Sequence, residues 1–362
     1  MTQVLHEPSI VTRSVTMQAA VVTEFGKPLQ MREVEVPSPG FGEALVELEA
    51  SGICHTDLHA AHGDWPAKPK LPVVPGHEGI GTVVAVGEGV RDLVVGDKVG
   101  NAWLWSACGG CEYCRTGREN LCESQRNGGY SVNGSFGAYM LVNADYAVRI
   151  PDGADVLEIA PILCAGVTVY KGLKVSEARP GHWVAISGLG GLGHVAVQYA
   201  RAMGMRVVAV DVDAQKLALA KRLGAEVVVD AKHVDVVEAV QRATGGVHAV
   251  LVTAVHPEAF GQAIGFARRG GTIVLVGLPP GEFAAPIFDI VLRGLTIRGS
   301  IVGTRQDMVE ALDFYTCGLV KPRVTRAHLD EINDILAEME DGRVQGRVVI
   351  DYRTPYRAAI GG

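Results

Sequence analysis

Positive charge is in deficit along this 362-residue chain: 33 Lys and Arg face 40 Asp and Glu, a formal net charge of −7. The isoelectric point is about 5.9. Nucleic acid and anionic membrane surfaces call for the opposite sign, so neither is expected as the main partner. A fixed glycine period is also missing. The 45 glycines are scattered, which removes collagen-like and solenoid architectures. Met1 to Thr16 contains Glu7 and Pro8 and no apolar run of the kind a secretory leader needs. Nor are the cysteines even in number. Seven in a long chain fit metal-binding thiolates in a reducing cytoplasm better than a disulfide framework. Formal charge vanishes over the 21 residues from Pro180 to Ala200, long enough to suggest a membrane span. Five glycines lie within it, four of them between 188 and 193, and its two halves differ in character. No membrane segment is therefore expected.

What is present is ordinary for a globular chain: 48% hydrophobic and 20% charged residues, with length for about two domains. Residues 1–16 read as a polar extension. From Met17 to about residue 100, short alternating runs broken by Pro and Gly, such as Glu43-Ala-Leu-Val-Glu-Leu and Gly81-Thr-Val-Val-Ala-Val, predict an antiparallel β-rich domain. From about Ala165 the texture changes. Helical periods alternate with apolar runs at Trp183–Ile186, Val207–Val210, Val227–Val229, Ala249–Val252, Thr272–Val276 and Leu295–Arg298. These predict a six-stranded parallel sheet with helices on both faces. A helix over Gln306–Tyr315 and a last strand over Arg347–Ile350 resume another pattern. The expected division is a domain of residues 17–165 and 305–362, interrupted by an α/β unit of 166–304, with a cleft between them.

The centre of that unit is Gly188-Leu-Gly190-Gly191-Leu192-Gly193, a G-x-G-x-x-G turn between a strand and a helix. Gly188 permits the turn, Gly190 lets backbone approach a pyrophosphate, and Gly193 lets helix pack on strand. The phosphates would lie at the helix N-terminus. Asp211 closes the next strand 23 residues after Gly188, where a carboxylate can meet the adenosine ribose. Val212 follows it, and no arginine stands there to receive a 2′-phosphate, so NAD is preferred over NADP.

Cys108, Cys111, Cys114 and Cys122 fall in one turn-rich stretch. Four thiolates close a tetrahedral zinc shell and leave no place for substrate. Their C-x₂-C-x₂-C-x₇-C spacing differs from the plant and bacterial iron–sulfur patterns. A structural zinc site is expected. Cys54, Cys164 and Cys317 remain. Cys54 heads Cys54-His-Thr-Asp-Leu-His-Ala-Ala-His-Gly-Asp-Trp65-Pro, and His77 opens His77-Glu78-Gly. Two Cys and one His leave a fourth zinc position open for Lewis-acid chemistry. Cys317 has no partner visible in sequence.

With these residues in view, the chain resembles the zinc-containing medium-chain alcohol dehydrogenases, most closely the yeast and bacterial ethanol dehydrogenases. Gly76 to Val90 meets the family's G-H-E-x-x-G-x₅-G-x-x-V signature, and the Cys54–Pro66 run, the cysteine lobe and the glycine turn also match. The similarity spans about Met17 to Tyr352. It implies a Rossmann sheet set into a discontinuous GroES-like catalytic domain, two zinc ions per chain, NAD, and a homotetramer. It also implies a catalytic zinc held by Cys54, His77 and Cys164, with Glu78 just behind it. By the same resemblance Thr56 touches the substrate oxygen and His62 passes its proton to solvent. His55 and Arg347 contact the pyrophosphate, Asp211 and Lys216 the ribose, and Leu192 and Val276 join the glycines as cofactor contacts. Trp65 and Trp103 narrow the pocket. Ala61 stands where Trp is common, and the N-terminal extension is additional.

The chemistry is coherent in physical terms. An alcohol must lose its proton before hydride leaves carbon, and zinc lowers the pKa of a bound hydroxyl. Asp57 and Glu78 taken alone read as solvated carboxylates, but Glu78 directly follows a ligand candidate, which favours tuning of the metal. A polyol, threonine or formaldehyde dehydrogenase is the alternative within the same superfamily. A nucleotide-binding structural protein is the non-enzymatic one, disfavoured by retention of every ligand and relay residue. Small primary alcohols and aldehydes are the expected substrate class, since Trp65 and Trp103 favour a narrow apolar slot over a polyol site.

Overall fold

The computed structural model describes residues 15–354. Most of the expected N-terminal extension, residues 1–14, lies outside them. Its last residue does not belong to an extension: Thr16 opens the strand Thr16–Val21.

The α/β unit is as the alternation requires. Six strands lie in the order Val227–Asp230, Arg206–Asp211, Trp183–Ser187, Val247–Val252, Ala267–Leu275, Thr296–Gly299, and every neighbouring pair is parallel. Chain order reverses between Trp183–Ser187 and Val247–Val252. A ligand crevice forms at the carboxyl ends of strands where such a reversal occurs. The strands are Val-rich because both sheet faces are covered; Val184, Val208 and Val250 are fully buried. The uncharged stretch of Pro180–Ala200 is split into the strand Trp183–Ser187 and the helix Gly193–Ala202 by the glycine turn. Gly188 there has φ +92°, and a Cβ on it would sit 2.6 Å from the Ala254 nitrogen. Gly193 is equally constrained, since its Cβ would come 1.9 Å from the Gly188 oxygen. No single described helix is long and apolar enough to cross a membrane.

A seven-stranded sheet holds the other lobe. Its spine runs Val324–Ala327, Arg347–Asp351, Glu43–Ile53, Gly79–Val86, Lys98–Asn101, Val148–Arg149, with Tyr139–Asn143 paired to Glu43–Ile53. The last strand of the chain lies antiparallel to Glu43–Ile53, with Val348 opposite Ile53. Residues on both sides of the α/β unit thus share one sheet, and the unit is an insertion into a discontinuous β-rich fold. One pairing departs from the antiparallel expectation: Val324–Ala327 runs parallel to Arg347–Asp351.

Candidate active site

Three ends of structure meet at the open metal position. Strand Glu43–Ile53 hands over to helix His55–His62 at Cys54, its N-cap. Cys164 sits between the short turn Ala160–Leu163 and helix Ala165–Val175. His77 is fixed by the loop that leads into Gly79–Val86. Cys54 Sγ lies 3.8 Å from Cys164 Sγ, and His77 Nε2 lies 3.3 Å from that sulfur. Bonds of about 2.3 Å to a tetrahedral zinc place two sulfurs about 3.8 Å apart. All three side chains are buried. The Cys164 thiol hydrogen-bonds to Cys54, which lowers the Cys54 thiol well below its usual range and raises that of Cys164. Two buried sulfurs sharing a proton beside a carboxylate are a donor set that suits a dication.

The Glu78 carboxylate adjoins this group, within 4.8 Å of the other three donor atoms. Arg347 donates to its Oε1, and its Oε2 has no hydrogen-bond partner. Burial pushes the Glu78 carboxyl up to about 7, against the pull of Arg347. Asp57 is no solvated carboxylate. It is 1% exposed and accepts from the Cys54 nitrogen at 2.8 Å, the Gly76 nitrogen at 3.0 Å and His77 Nδ1 at 3.1 Å. This fixes the His77 ring with Nε2 toward the sulfurs. Nothing in the spacing of Asp57 distinguished it from a helix-capping acid.

The four-cysteine lobe converges as its spacing implies, with all donor sulfurs within 4.8 Å of one another. Cys111 Sγ and Cys114 Sγ are 3.5 Å apart. Backbone N–H groups of Gly110 and Cys111 bring the Cys108 thiol down to about 6, favouring the ligating form. Cys317 is exposed at the end of helix Arg305–Thr316.

Thr56 Oγ1 lies 3.7 Å from Cys54 Sγ, at the metal position. His62 is half-buried at the other end of the same helix. Six residues of helix span about 9 Å, and no hydrogen bond links the two among the described residues, so a direct proton transfer between them is not available. Trp65 and Trp103 form an edge-to-face pair at 5.7 Å, and Trp103 stands edge-on to His77 at 5.6 Å. The sequence reading missed Tyr130, which lies 5.4 Å from each tryptophan and is held by its hydroxyl donating to the Ala67 oxygen at 2.6 Å. It comes from a separate loop, so no local motif carried it.

On the nucleotide side, Gly190 faces open space, while a Cβ on Gly191 would touch the Arg347 stem at 3.0 Å. The Arg347 head turns to Glu78 and to the Ile53 oxygen at 2.9 Å, and its Nε has no partner. The expected pyrophosphate contact therefore lies between the metal donors and the glycine turn, tied to both. Burial lowers the His55 pKa, and the charges of Arg347 and Lys216 act in the same direction, which places the His55 ring beside both cations. Leu192 caps the helix Gly193–Ala202. Asp211 Oδ2 accepts the Leu189 N–H at 2.6 Å, and Oδ1 accepts from Val212 and Asp213. Lys216 Nζ reaches the Gly342 oxygen at 3.3 Å. Val276 is buried where strand Ala267–Leu275 ends. His194, also missed, donates from Nδ1 to the Gly190 oxygen at 3.0 Å and accepts the Arg323 N–H at Nε2 at 3.2 Å, locking the turn to the returning chain.

A dinucleotide crevice, a closed thiolate lobe and an open three-donor centre define a metal-dependent, nucleotide-linked oxidoreductase. Residues 191–316 match the zinc-binding dehydrogenase family and residues 40–152 the alcohol dehydrogenase GroES-like domain. An alcohol dehydrogenase of Moraxella sp. is 60% identical over 93% of this chain and 99% of its own length. Among solved structures, the alcohol dehydrogenase of Aeropyrum pernix superposes with a TM-score of 0.86 at 35% identity, covering 92% of this chain and 99% of that one. An acetophenone reductase of Geotrichum candidum in complex with NAD gives 0.84 at 32%, over 93% and 97%. The chain belongs to the zinc-binding alcohol dehydrogenases.

Proposed function

We propose that the protein oxidises small primary alcohols to aldehydes, and catalyses the reverse, with NAD as hydride partner. The observation that carries this reading is the buried Cys54–His77–Cys164 donor set, bridged through Glu78 and Arg347 to the glycine turn. Bound zinc supplies Lewis acidity toward the alcohol hydroxyl, and bound NAD accepts the hydride. Cys54, His77 and Cys164 would hold the zinc, and Cys108, Cys111, Cys114 and Cys122 a second, structural one. Thr56 would take the hydroxyl proton on Oγ1 while giving up its own, and His62 would deliver a proton to solvent, with water or a hydroxyl of the bound cofactor carrying it across the roughly 9 Å between them. Gly188, Gly190, Gly191, Leu192 and Gly193 cradle the phosphates. Arg347 offsets their charge and His55 contacts them as a ring N–H donor, and Asp211, Lys216 and Val276 line the adenosine and nicotinamide side. Trp65 and Trp103, with Tyr130, exclude water and bound a narrow apolar slot.

The finer assignments rest on the same residues. Residues 17–165 with 305–362 act as the catalytic unit and 166–304 as the cofactor unit. Seven cysteines without a disulfide suit a reducing cytoplasm. A homotetramer is supported by the uncovered apolar helix Ile287–Arg293 beside the edge strand Thr296–Gly299. The test is reduction of NAD and NADP with ethanol, 1-hexanol, sorbitol and threonine. Turnover of ethanol with NAD is expected; turnover of sorbitol or threonine but not ethanol would overturn the substrate class.

A further inference from the structure

One short loop joins the four-cysteine lobe to the aromatic slot. The turn Glu119–Leu121 immediately precedes Cys122, the lobe's last thiolate. From it, Glu119 Oε1 accepts the Arg305 backbone N–H at 3.1 Å and its Nε–H at 3.4 Å. Asn120 Nδ2 donates to the Ile301 oxygen at 3.0 Å. Both side chains are buried, at 6% and 5% exposure. These two grips flank Val302. That residue has φ +40°, a left-handed conformation costly for a β-branched side chain and kept only where the surroundings enforce it. What the strain achieves is visible in the packing: Val302 is pressed against the cluster of Ala60, Trp103 and Tyr130.

We propose that Glu119 and Asn120 are positioning residues through which the four-cysteine lobe sets the depth of the alcohol slot, by holding strained Val302 against Trp103. This rests on Trp65, Trp103 and Tyr130 being the substrate wall. The lobe then governs selectivity between short and long alcohols, a role distinct from holding the fold together. Released from its grips, the loop relaxes toward ordinary backbone angles, Val302 withdraws, and the slot lengthens.

The test compares kcat/KM for 1-hexanol and ethanol at one NAD concentration, a ratio from which cofactor binding and the fraction of active enzyme cancel. Wild-type turnover of both alcohols tests the substrate class, and a changed ratio in Trp103→Ala tests the substrate wall, each independently of the Glu119 variants. Glu119→Ala is expected to raise the ratio about five-fold or more toward 1-hexanol, while both donor groups keep their zinc. Its near-ultraviolet circular dichroism, read without turnover, is expected to lose intensity as the Trp65–Trp103–Tyr130 contact loosens. Glu119→Gln keeps an acceptor for the Arg305 N–H and is expected to return the ratio to within about two-fold of wild type. Val302→Gly removes strain and contact together, so it is expected to act in the same direction, and the double variant Glu119→Ala with Val302→Gly no further than the larger single change. If Glu119→Ala loses metal from the lobe, Asn120→Ser cuts only the bond to Ile301 and is expected to move the ratio likewise. An unchanged ratio in a zinc-replete variant, or additive effects in the double variant, would overturn the proposal.

Discussion

Asp57 carries more of the metal site than any ligand's own conformation does. One carboxylate takes three donors: the backbone of Cys54, the backbone of Gly76 and the ring of His77. An Asn in its place offers a single acceptor oxygen and turns an N–H toward one of these donors. Asp57→Asn is expected to weaken catalytic zinc binding about 10- to 100-fold with the four-cysteine site unaffected, measured by metal retained against a graded chelator. Equal loss from both sites would reassign Asp57 to general stability. Asp211 is similarly loaded, with three N–H groups on one carboxylate. A 2′-phosphate would meet that charge, so NAD is expected to exceed NADP strongly in kcat/KM. Asp211→Gly with Val212→Arg should reverse the sign of the repulsion. Because the Leu189 N–H also loses its acceptor, NAD use should fall on the order of tenfold in the same variant. Comparable wild-type use of both cofactors would refute the role of Asp211.

At the scale of elements, the helix that begins at Cys164 is braced against helix Arg305–Thr316. Lys171 and Lys174 each reach Asp307 at 2.8 Å, Thr304 closes a capping box with it, and Tyr170 donates to Glu310 Oε2 at 2.6 Å. Burial alone would raise the Asp307 carboxyl; hydrogen bonds from Lys171, Lys174 and Thr304 outweigh it and hold it at about 2, below the ordinary 3.8. A carboxylate depressed in the folded state stabilises fully above its unfolded value. That contribution is lost as pH falls toward the folded one. Asp307→Asn is therefore expected to cost roughly 2 kcal/mol at neutral pH. The difference in urea midpoint between variant and wild type should stay constant down to about pH 4 and shrink between 4 and 2. A difference that persists unchanged at low pH would point to packing instead of charge.

At the scale of the whole molecule, a run of exposed large hydrophobic residues adjoins an open sheet edge. Ile287, Phe288, Val291 and Leu292 are all at least 66% exposed, and their helix buries none of its residues. A second copy seated there would cover that face and the free edge of Thr296–Gly299 together. Phe288→Glu is expected to shift sedimentation of a tetramer to smaller species, with two zinc ions per chain retained. A monomeric wild type would remove the assembly reading.

The local patterns were fully determined by sequence. Continuous apolar runs located five of the six parallel strands to within two residues, because strands covered on both faces are apolar throughout; the fifth begins at Ala267 instead of Thr272, through an exposed Arg268-Arg269-Gly270 that no apolar run could mark. The glycine turn and both cysteine sets were also legible, since backbone geometry and metal coordination demand fixed residue types at short spacing. Tertiary structure alone decided the rest. Tyr130 joins Trp65 and Trp103 from a distant loop, and Arg347 reaches Glu78 across 269 residues of sequence. It also left Thr56 and His62 unlinked though they share one helix. Such partnerships depend on where separate chain segments cross. A one-dimensional pattern records which residues can bond, and only the packed fold selects which of them meet.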